Sequence, residues 1–572
     1  MNRTLRVVLA LVVLSSFSFA FGQVRGGGGG DSSQRFVEVA GVREFSGELI
    51  VRPIQIVESF VQRRSMSDQM RQNRARQRLA RLLIEYVADT DELVVAVPSN
   101  YDENSFSAFL MATGDYQYAE PNWTVYPVVI PNDPFFGQQW HHFRMQSPQG
   151  WNINTGSGVT LATCDTGVHL THEDLAPLLV PGYNSASRLS QNNGGAVNDI
   201  NGHGTHVMGD AGAAGNNSRG VAGVGWNYRL MPIRVTNSAG GSASMANIVN
   251  GARWAVNNGA KSISVSYSGV SSSTVQTTGA YIKSRGGLFL WAAGNNGANL
   301  NWFDWADVII VGASTSSDTR WSSSAFGLAI DVFAPGVNIL STVRNSNSSY
   351  GFGTGTSMAA PVANGVVAMV WSINPALSAS KVEQIVFQSC DNIGSSSTFG
   401  NGRVNLFKTA TLADMTVPKT VLPSSVNLNR GTYISGSISS FFSQDGNVYV
   451  VNAGITLNQS ESPNDITLNG VAPYTTAVRL KFRTVSRSSS INVTEEIQFY
   501  NFTTNQWDSK NTRTLSTSDT SVTVDVTSGA SNYVRSSDGA VRARLVRRAG
   551  GIVAHLPWSV SNDLGVWEIT AF

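Results

Sequence analysis

The chain has 572 residues, of which 42% are hydrophobic and only 14% charged, and a formal net charge of +2. That length allows several domains and a large core, while the near-neutral balance excludes a global field for nucleic acid or an anionic membrane. Two cysteines, Cys164 and Cys390, exclude a disulfide scaffold.

Arg3 and Arg6 precede an apolar run from Val7 to about Phe19, and Ser18 and Ala20 give a small-x-small end. This pattern predicts a signal peptide over 1–22 and a secreted, extracellular protein. No later run reads as long and apolar enough for a transmembrane anchor. Residues 23–35 are Gly-rich.

From Gly47 the pattern changes. Residues 48–52 and 92–97 read as strands, 58–86 and 103–113 as helices, and 115–120 as extended. Leu79, Leu82, Leu83 and Tyr86 mark the apolar positions of the first helix. Its arginines, Arg71, Arg74, Arg76, Arg78 and Arg81, read as a solvated face rather than a nucleic-acid site. The whole is a small α+β unit.

Over 131–412, short apolar runs at 159–163, 262–265, 288–291 and 308–311 alternate with helical stretches such as 244–257. That alternation predicts a parallel α/β sheet, whose functional residues sit at the carboxyl ends of strands. Cys164 closes the first of these strands, which favours a buried unpaired thiol over a bridge to Cys390. Residues 413–425 carry Pro418 and Pro423 and read as a linker. About eight short β-rich runs over 426–572 suggest a β-sandwich. Its aromatics, Tyr500, Trp507, Trp558 and Trp567, read as core filling rather than as a platform for sugars or a surface.

Three segments carry chemistry. Ala162-Thr-Cys-Asp165-Thr-Gly-Val168 puts a carboxylate where an apolar strand ends in a turn. Asn201-Gly-His203-Gly-Thr-His206-Val-Met-Gly209 opens a helix with small residues around an imidazole. Gly353-Thr-Gly-Thr-Ser357-Met-Ala-Ala-Pro361 puts a hydroxyl at the start of an apolar helix. Serine hydrolysis needs a hydroxyl that loses its proton, a neutral imidazole that takes it, and a carboxylate that fixes the tautomer. A helix N-terminus under the serine aims N–H groups at the developing oxyanion. An α/β-hydrolase would need Gly-x-Ser-x-Gly with the His last; here Met358 and Ala359 follow Ser357, and His203 precedes it.

These segments, in the order Asp, His, Ser, resemble the signature motifs of the subtilases, the subtilisin-like serine proteases, and the resemblance covers roughly residues 40–412. It implies a subtilisin-like parallel sheet with helices on both faces, and roles residue by residue. Asp165 matches the orienting carboxylate, His203 the general base and Ser357 the nucleophile, with His206 a structural position. Ala292-Ala-Gly-Asn295-Asn-Gly297 resembles the oxyanion segment, with Asn295 as donor and Asn296 as the alternative. Ser266, Tyr267, Ser268 and Gly269 resemble the strand that pairs with an extended substrate, although the family usually has Gly where Ser268 stands. Gly241 and Ser242 resemble the opposite rim, and the pocket floor falls near 301–303. Calcium is implied by likeness to thermitase-like members, with oxygen ligands from Asp133, Asp174 and Asn217 and main-chain carbonyls of Ala214, Arg219 and Val221.

The α+β unit resembles the family's inhibitory prodomain, so 23–130 is expected to be a propeptide removed between about Asn122 and Pro131. The implied partners are protein and peptide substrates and the chain's own propeptide, the implied state a monomer. The competing reading is a catalytically silent binding protein that works through its β-rich tail; self-cleavage through Ser357 separates the two.

Overall fold

A computed structural model describes residue 36 and residues 43–55, 66–125, 128–455, 461–550 and 557–572. The expected signal peptide and the Gly-rich stretch lie outside the described residues, as do 126 and 127 in the expected cleavage region. The chain divides into two compact units, the first ending at Val125 and the second running from Tyr126 to Phe572.

In the first unit, four antiparallel strands lie in the order Leu83–Val87, Glu92–Ala96, Glu48–Pro53, Tyr116–Pro121. Alternate residues Leu49, Val51, Leu93 and Val95 point into a core shared with Phe106 and Leu110 of the helix Glu103–Ala112. The other described helix, Met66–Leu79, ends earlier than expected, and 58–65 of the expected helix lie outside the described residues. Leu83 and Tyr86, read as its apolar face, instead lie in an edge strand and are 44% and 48% exposed. Arg71, Arg74 and Arg78 surround the buried Asp115, and Arg76 pairs with Asp91. These four arginines therefore serve this unit's own acids.

The second unit is built on an eight-stranded sheet. Its order is Val332–Pro335, Ile309–Ser314, Leu288–Ala292, Ala260–Val265, Ser157–Asp165, Asn227–Arg234, Tyr183–Asn184, Leu189–Ser190, parallel except for the last pair. Both faces are covered, so the strands are apolar throughout. Leu161, Leu288, Leu290 and Val311 face the layer that contains His203–Gly212 and Thr356–Ile373. Ala162, Phe289, Trp291 and Ile310 face Met245–Asn257 and Ser273–Ser284. Thr356–Ile373 has 18 residues and a mean hydropathy of 1.3, long and apolar enough to cross a membrane, contrary to the expectation that no later run qualifies. It is 83% buried, so the packed core accounts for its apolarity. Both cysteines are free, Cys164 buried and Cys390 partly so.

Residues 413–425 are not a free linker. The helix Leu406–Met415 leads into strands Lys419–Val421 and Pro423–Arg430, and the first pairs with Trp567–Ile569. Prolines are tolerated here because they fall just before one strand and at the first residue of the next. Beyond lie two antiparallel sheets, one of six strands and one of five. Ile466, Ile497 and Leu545 from one share a core with Val451, Phe482 and Trp567 from the other. Trp558 and Trp567 are buried, whereas Tyr500 and Trp507 are only half-buried.

Candidate active site

The parallel strands bring several functional groups to one edge of the sheet. Asp165 is the last residue of its strand, Ser266 follows the neighbouring strand, and Asn295 lies three residues beyond the next. Thr356–Ile373 packs across these strands and sets Ser357 in its first turn.

Asp165 is 1% exposed, and its Oδ1 accepts a 2.8 Å bond from Nδ1–H of His203. That contact fixes the tautomer and leaves Nε2 as the basic nitrogen. The Asp165 charge is the main cause of a strong shift in His203: despite burial, its pKa is pushed up to about 9. The ring is carried by the helix His203–Gly212, which closes on the strand because Gly204 has no side chain. A Cβ there would lie 2.2 Å from the Gly167 carbonyl oxygen.

A residue missed by the sequence reading holds this approach together. Asp199 Oδ1 accepts from Thr166 Oγ1–H at 2.8 Å and from the N–H groups of Asn201 and Gly202 at 2.9 Å. Its Oδ2 accepts from Thr205 N–H at 2.9 Å and Thr205 Oγ1–H at 2.5 Å. The carboxylate thus ties the residue after Asp165 to the turn that starts at His203. Burial pushes its pKa up, but Thr205 and the amides outweigh burial and hold it below the usual range. The available signal was an Asp just before a helix start. His206, one turn on, bonds Asp210 Oδ2 and the Gly351 carbonyl, both at 3.1 Å. It therefore links this helix to the hairpin strand Ser349–Gly353 rather than to Asp165.

Ser357 and Ser266 exchange contacts. Ser266 Oγ–H donates to the Ser357 carbonyl at 2.9 Å, and Ser357 Oγ–H makes a long 3.5 Å contact with the Ser266 carbonyl. The Ser357 N–H lies in the first helical turn, where no intrahelical acceptor exists. Beside it, Asn295 Oδ1 accepts from Thr356 N–H at 2.9 Å and Thr356 Oγ1–H at 2.8 Å. A backbone N–H can only donate, so the amide orientation is fixed and Nδ2 is left as a donor. Gly355, at φ +156°, keeps the space clear, because a Cβ would lie 3.1 Å from that Nδ2. Asn296 instead accepts from Ala298 N–H and closes its own turn.

The two rims also meet. Tyr267 Oη–H donates to the Gly241 carbonyl at 2.7 Å, and Trp291 Nε1–H donates to the Tyr267 carbonyl at 2.6 Å. Gly241 and Gly269 have positive φ, and the Ser242 carbonyl accepts from Thr236 Oγ1–H. Ser268 follows Tyr267 as an exposed residue. The region of 301–303 exposes Trp302, whose ring packs against Phe303.

Asp133, Asp174 and Asn217 converge elsewhere. Asp133 accepts from Asn216 N–H at 2.6 Å, and Asp174 accepts from Asn217 Nδ2–H at 2.9 Å and Val221 N–H at 3.0 Å. The carboxylates are 5% and 0% exposed. Among the described residues neither has a Lys or Arg partner, and the carbonyls of Ala214, Arg219 and Val221 accept no hydrogen bond. Burial, with the Asp174 charge adding to it, pushes the Asp133 carboxyl up. No cluster of three His, Cys, Asp or Glu occurs among the described residues. This oxygen-only set of two buried uncompensated carboxylates, an amide and free carbonyls fits a hard cation such as Ca²⁺.

The subtilase family pattern matches residues 156–402. Thermitase from Thermoactinomyces vulgaris is 36% identical over 283 residues, which cover 49% of this chain and 98% of thermitase. Subtilisin Savinase from Lederbergia lenta is 37% identical over 274 residues, covering 46% of this chain and 96% of Savinase. Among solved structures, a protease from Pseudoalteromonas arctica PAMC 21717 matches at 29% identity with a TM-score of 0.44, covering 50% of this chain and 100% of that one. Since the 36% identity runs over 98% of a relative's length, fold and chemistry are shared, and this chain belongs to the subtilase family of serine endopeptidases.

Proposed function

We propose that the chain is the secreted, monomeric precursor of an endopeptidase that removes its own N-terminal unit and then cleaves other proteins. The observation that carries this reading is the 2.8 Å Asp165–His203 bond at the same sheet edge as Ser357 and Asn295. In the proposed mechanism the Ser357 hydroxyl turns from the Ser266 carbonyl to Nε2 of His203. It gives up its proton there as Oγ bonds to the scissile carbonyl carbon. The negative charge moves to the carbonyl oxygen, where Asn295 Nδ2–H and Ser357 N–H donate to it. Collapse breaks the C–N bond, and the proton on Nε2 goes to the leaving amine. Water then repeats the sequence on the acyl-enzyme, with His203 again taking a proton. Asp165 keeps the ring oriented and stabilises the imidazolium.

Extended peptides would pair along 266–269 on one side and Gly241 and Ser242 on the other, which reads main chain before side chains. The α+β unit serves as the inhibitory propeptide, and the leader over 1–22 sends the chain out of the cell. The two sheets that share one core form an accessory β-sandwich after the peptidase domain. Calcium, held by Asp133, Asp174, Asn217 and the carbonyls of Ala214, Arg219 and Val221, would neutralise two buried carboxylates and tie the segment around Asp133 to the loop 214–221.

The test is to express the full precursor and its Ser357→Ala variant with Ca²⁺ and to measure intact masses and N-termini. Wild type is expected to lose the residues before about 131 while Ser357→Ala keeps them. If both stay whole, and wild type ignores a serine-directed phosphonate probe, the reading fails.

A further inference from the structure

The outer face of the five-stranded C-terminal sheet carries a feature that peptide hydrolysis does not use. Alternation along the strands sends Phe499, Val541 and Ala543 into the core, while Tyr500, Arg542 and Arg544 face outward. Tyr500 pairs across strands with Trp507, ring to ring at 5.2 Å. The Arg542 guanidinium carbon lies over the Tyr500 ring at 5.2 Å and over that of Phe502 at 5.6 Å. Arg535 approaches the Phe502 ring at 5.6 Å. A cavity of about 290 Å³ opens here, lined by Tyr500, Phe502, Arg535 and Arg542 with Asn505 and Ser536.

The charges around it are unequally matched. Arg544 is held by Asp465 at 3.0 Å and Arg535 by Asp538 at 2.7 Å. Arg542 has no ion pair or hydrogen bond among the described residues. Asp538 feels its charge but is engaged by Arg535. Cation–π contact holds the Arg542 guanidinium beside the rings and leaves its N–H groups unspent among the described residues. Those groups match a planar two-oxygen anion in bidentate fashion. A stacked sugar fits less well, because guanidinium groups already face the rings and the rings are not coplanar. Tyr500 lies at 75° to Phe502 and at 72° to Trp507.

We propose that this cavity is an exosite that captures the side-chain carboxylates of acidic segments in protein substrates. The choice of a polypeptide rests on the chain being an endopeptidase. The test reads binding alone, so failure of the catalytic triad would not imitate failure of the exosite.

The full chain carrying Ser357→Ala is titrated against a fluorescent, C-terminally amidated hexaglutamate, followed by anisotropy at two salt concentrations. Hexaglutamine and an oligogalacturonate are the comparison ligands. Hexaglutamate is expected to bind and to weaken with salt, and hexaglutamine not to bind. Arg542→Gln should weaken the complex roughly ten- to hundredfold, and Arg542→Lys, which keeps charge but loses the fork, by less. Arg483→Gln removes the same charge from an exposed position on the other sheet and should leave binding unchanged. The melting profile of each variant guards against misfolding; if Arg542→Gln does not fold, Arg542→Lys decides. The proposal is overturned if both arginine variants lose affinity equally, if neither Arg542 variant loses any, or if oligogalacturonate binds and hexaglutamate does not.

Discussion

In the proposed mechanism Asp165 acts through the ring beside it, and that dependence gives the site a pH signature. Its charge, working against burial, raises His203 to about 9. The general base must be neutral, so kcat/KM should climb as pH rises through the alkaline range, with a midpoint near that value. Asp165→Asn should move the midpoint toward that of an ordinary imidazole and cut kcat by about 10⁴. The stability linkage has the opposite sense. The charged pair stabilises the fold fully below the unfolded imidazole pKa of about 6.5 and loses that contribution as pH passes the folded value. A pH–rate profile and melting curves on the same protein check both arms. Asn295 gives a second prediction. With Oδ1 anchored by Thr356, Nδ2 is left as the donor for the proposed oxyanion. Asn295→Leu should therefore lower kcat by about 10²–10³ and leave KM nearly unchanged, measured by steady-state kinetics on a peptide amide. At this scale the sequence was readable for the residues proposed to form the triad, because Asp165, His203 and Ser357 each sit beside small residues. Asp199 and Thr356 act by holding other groups, and a lone Asp or Thr in a polar stretch carries no mark of the carboxylate or amide it will meet.

Between elements, the contact that bears most on the proposed substrate pairing is the one joining 266–269 to Gly241. Tyr267 comes just after the strand Ala260–Val265, and its hydroxyl donates to the Gly241 carbonyl. In the proposed pairing, a substrate strand on that side would compete for the same acceptor. Tyr267→Phe removes the competing donor and leaves the ring, so KM for extended peptides should fall several-fold while kcat/KM for a single-residue ester stays level. No change for the long peptides would show that the latch does not compete. Elements were legible where one face or both faces are buried, as in the strands ending at Asp165 and Ala292. They were misread where neighbours decide. Leu79 to Tyr86 has spacing that suits a helix, but Leu83–Val87 pairs with Glu92–Ala96 and leaves its apolar side chains exposed at a sheet edge. Lys419–Val421 sits between prolines and reads as a connector, yet its partner, Trp567–Ile569, lies at the far end of the chain. Local pattern carries no information on such pairing.

Across the second unit, the same logic of distant partners governs the proposed calcium site. Asp133 and Asp174 are far apart in sequence from the loop 214–221 that they meet, and the closure is made by hydrogen bonds from its amides. Those bonds satisfy oxygens but leave two like charges buried together, an arrangement that destabilises the fold unless a cation compensates it. Binding to the folded state alone stabilises by about 2.7 kcal/mol at a free concentration one hundred times the dissociation constant. For a domain of this size that is a rise of about 5–10 °C in Tm. Calorimetry of the mature protein should thus show Tm climbing with Ca²⁺ and falling with a chelator, with Mg²⁺ a weak substitute because it demands tighter octahedral geometry. Asp174→Asn removes one of the two charges. It should raise stability relative to wild type in the chelator and abolish the response to Ca²⁺, an inversion that general weakening of the fold cannot produce. A variant that melts lower in both conditions, or still responds to Ca²⁺ in full, would place the cation elsewhere. The C-terminal sheets give an internal reference. They join the peptidase domain through Lys419–Val421 and through the amides of Ala571 and Phe572 on the Met415 carbonyl, and none of the proposed ligands lies in them. If the two parts melt as separate transitions, only the peptidase transition should follow Ca²⁺; if they melt as one, the whole transition should shift, and removing Ala571 and Phe572 should split it.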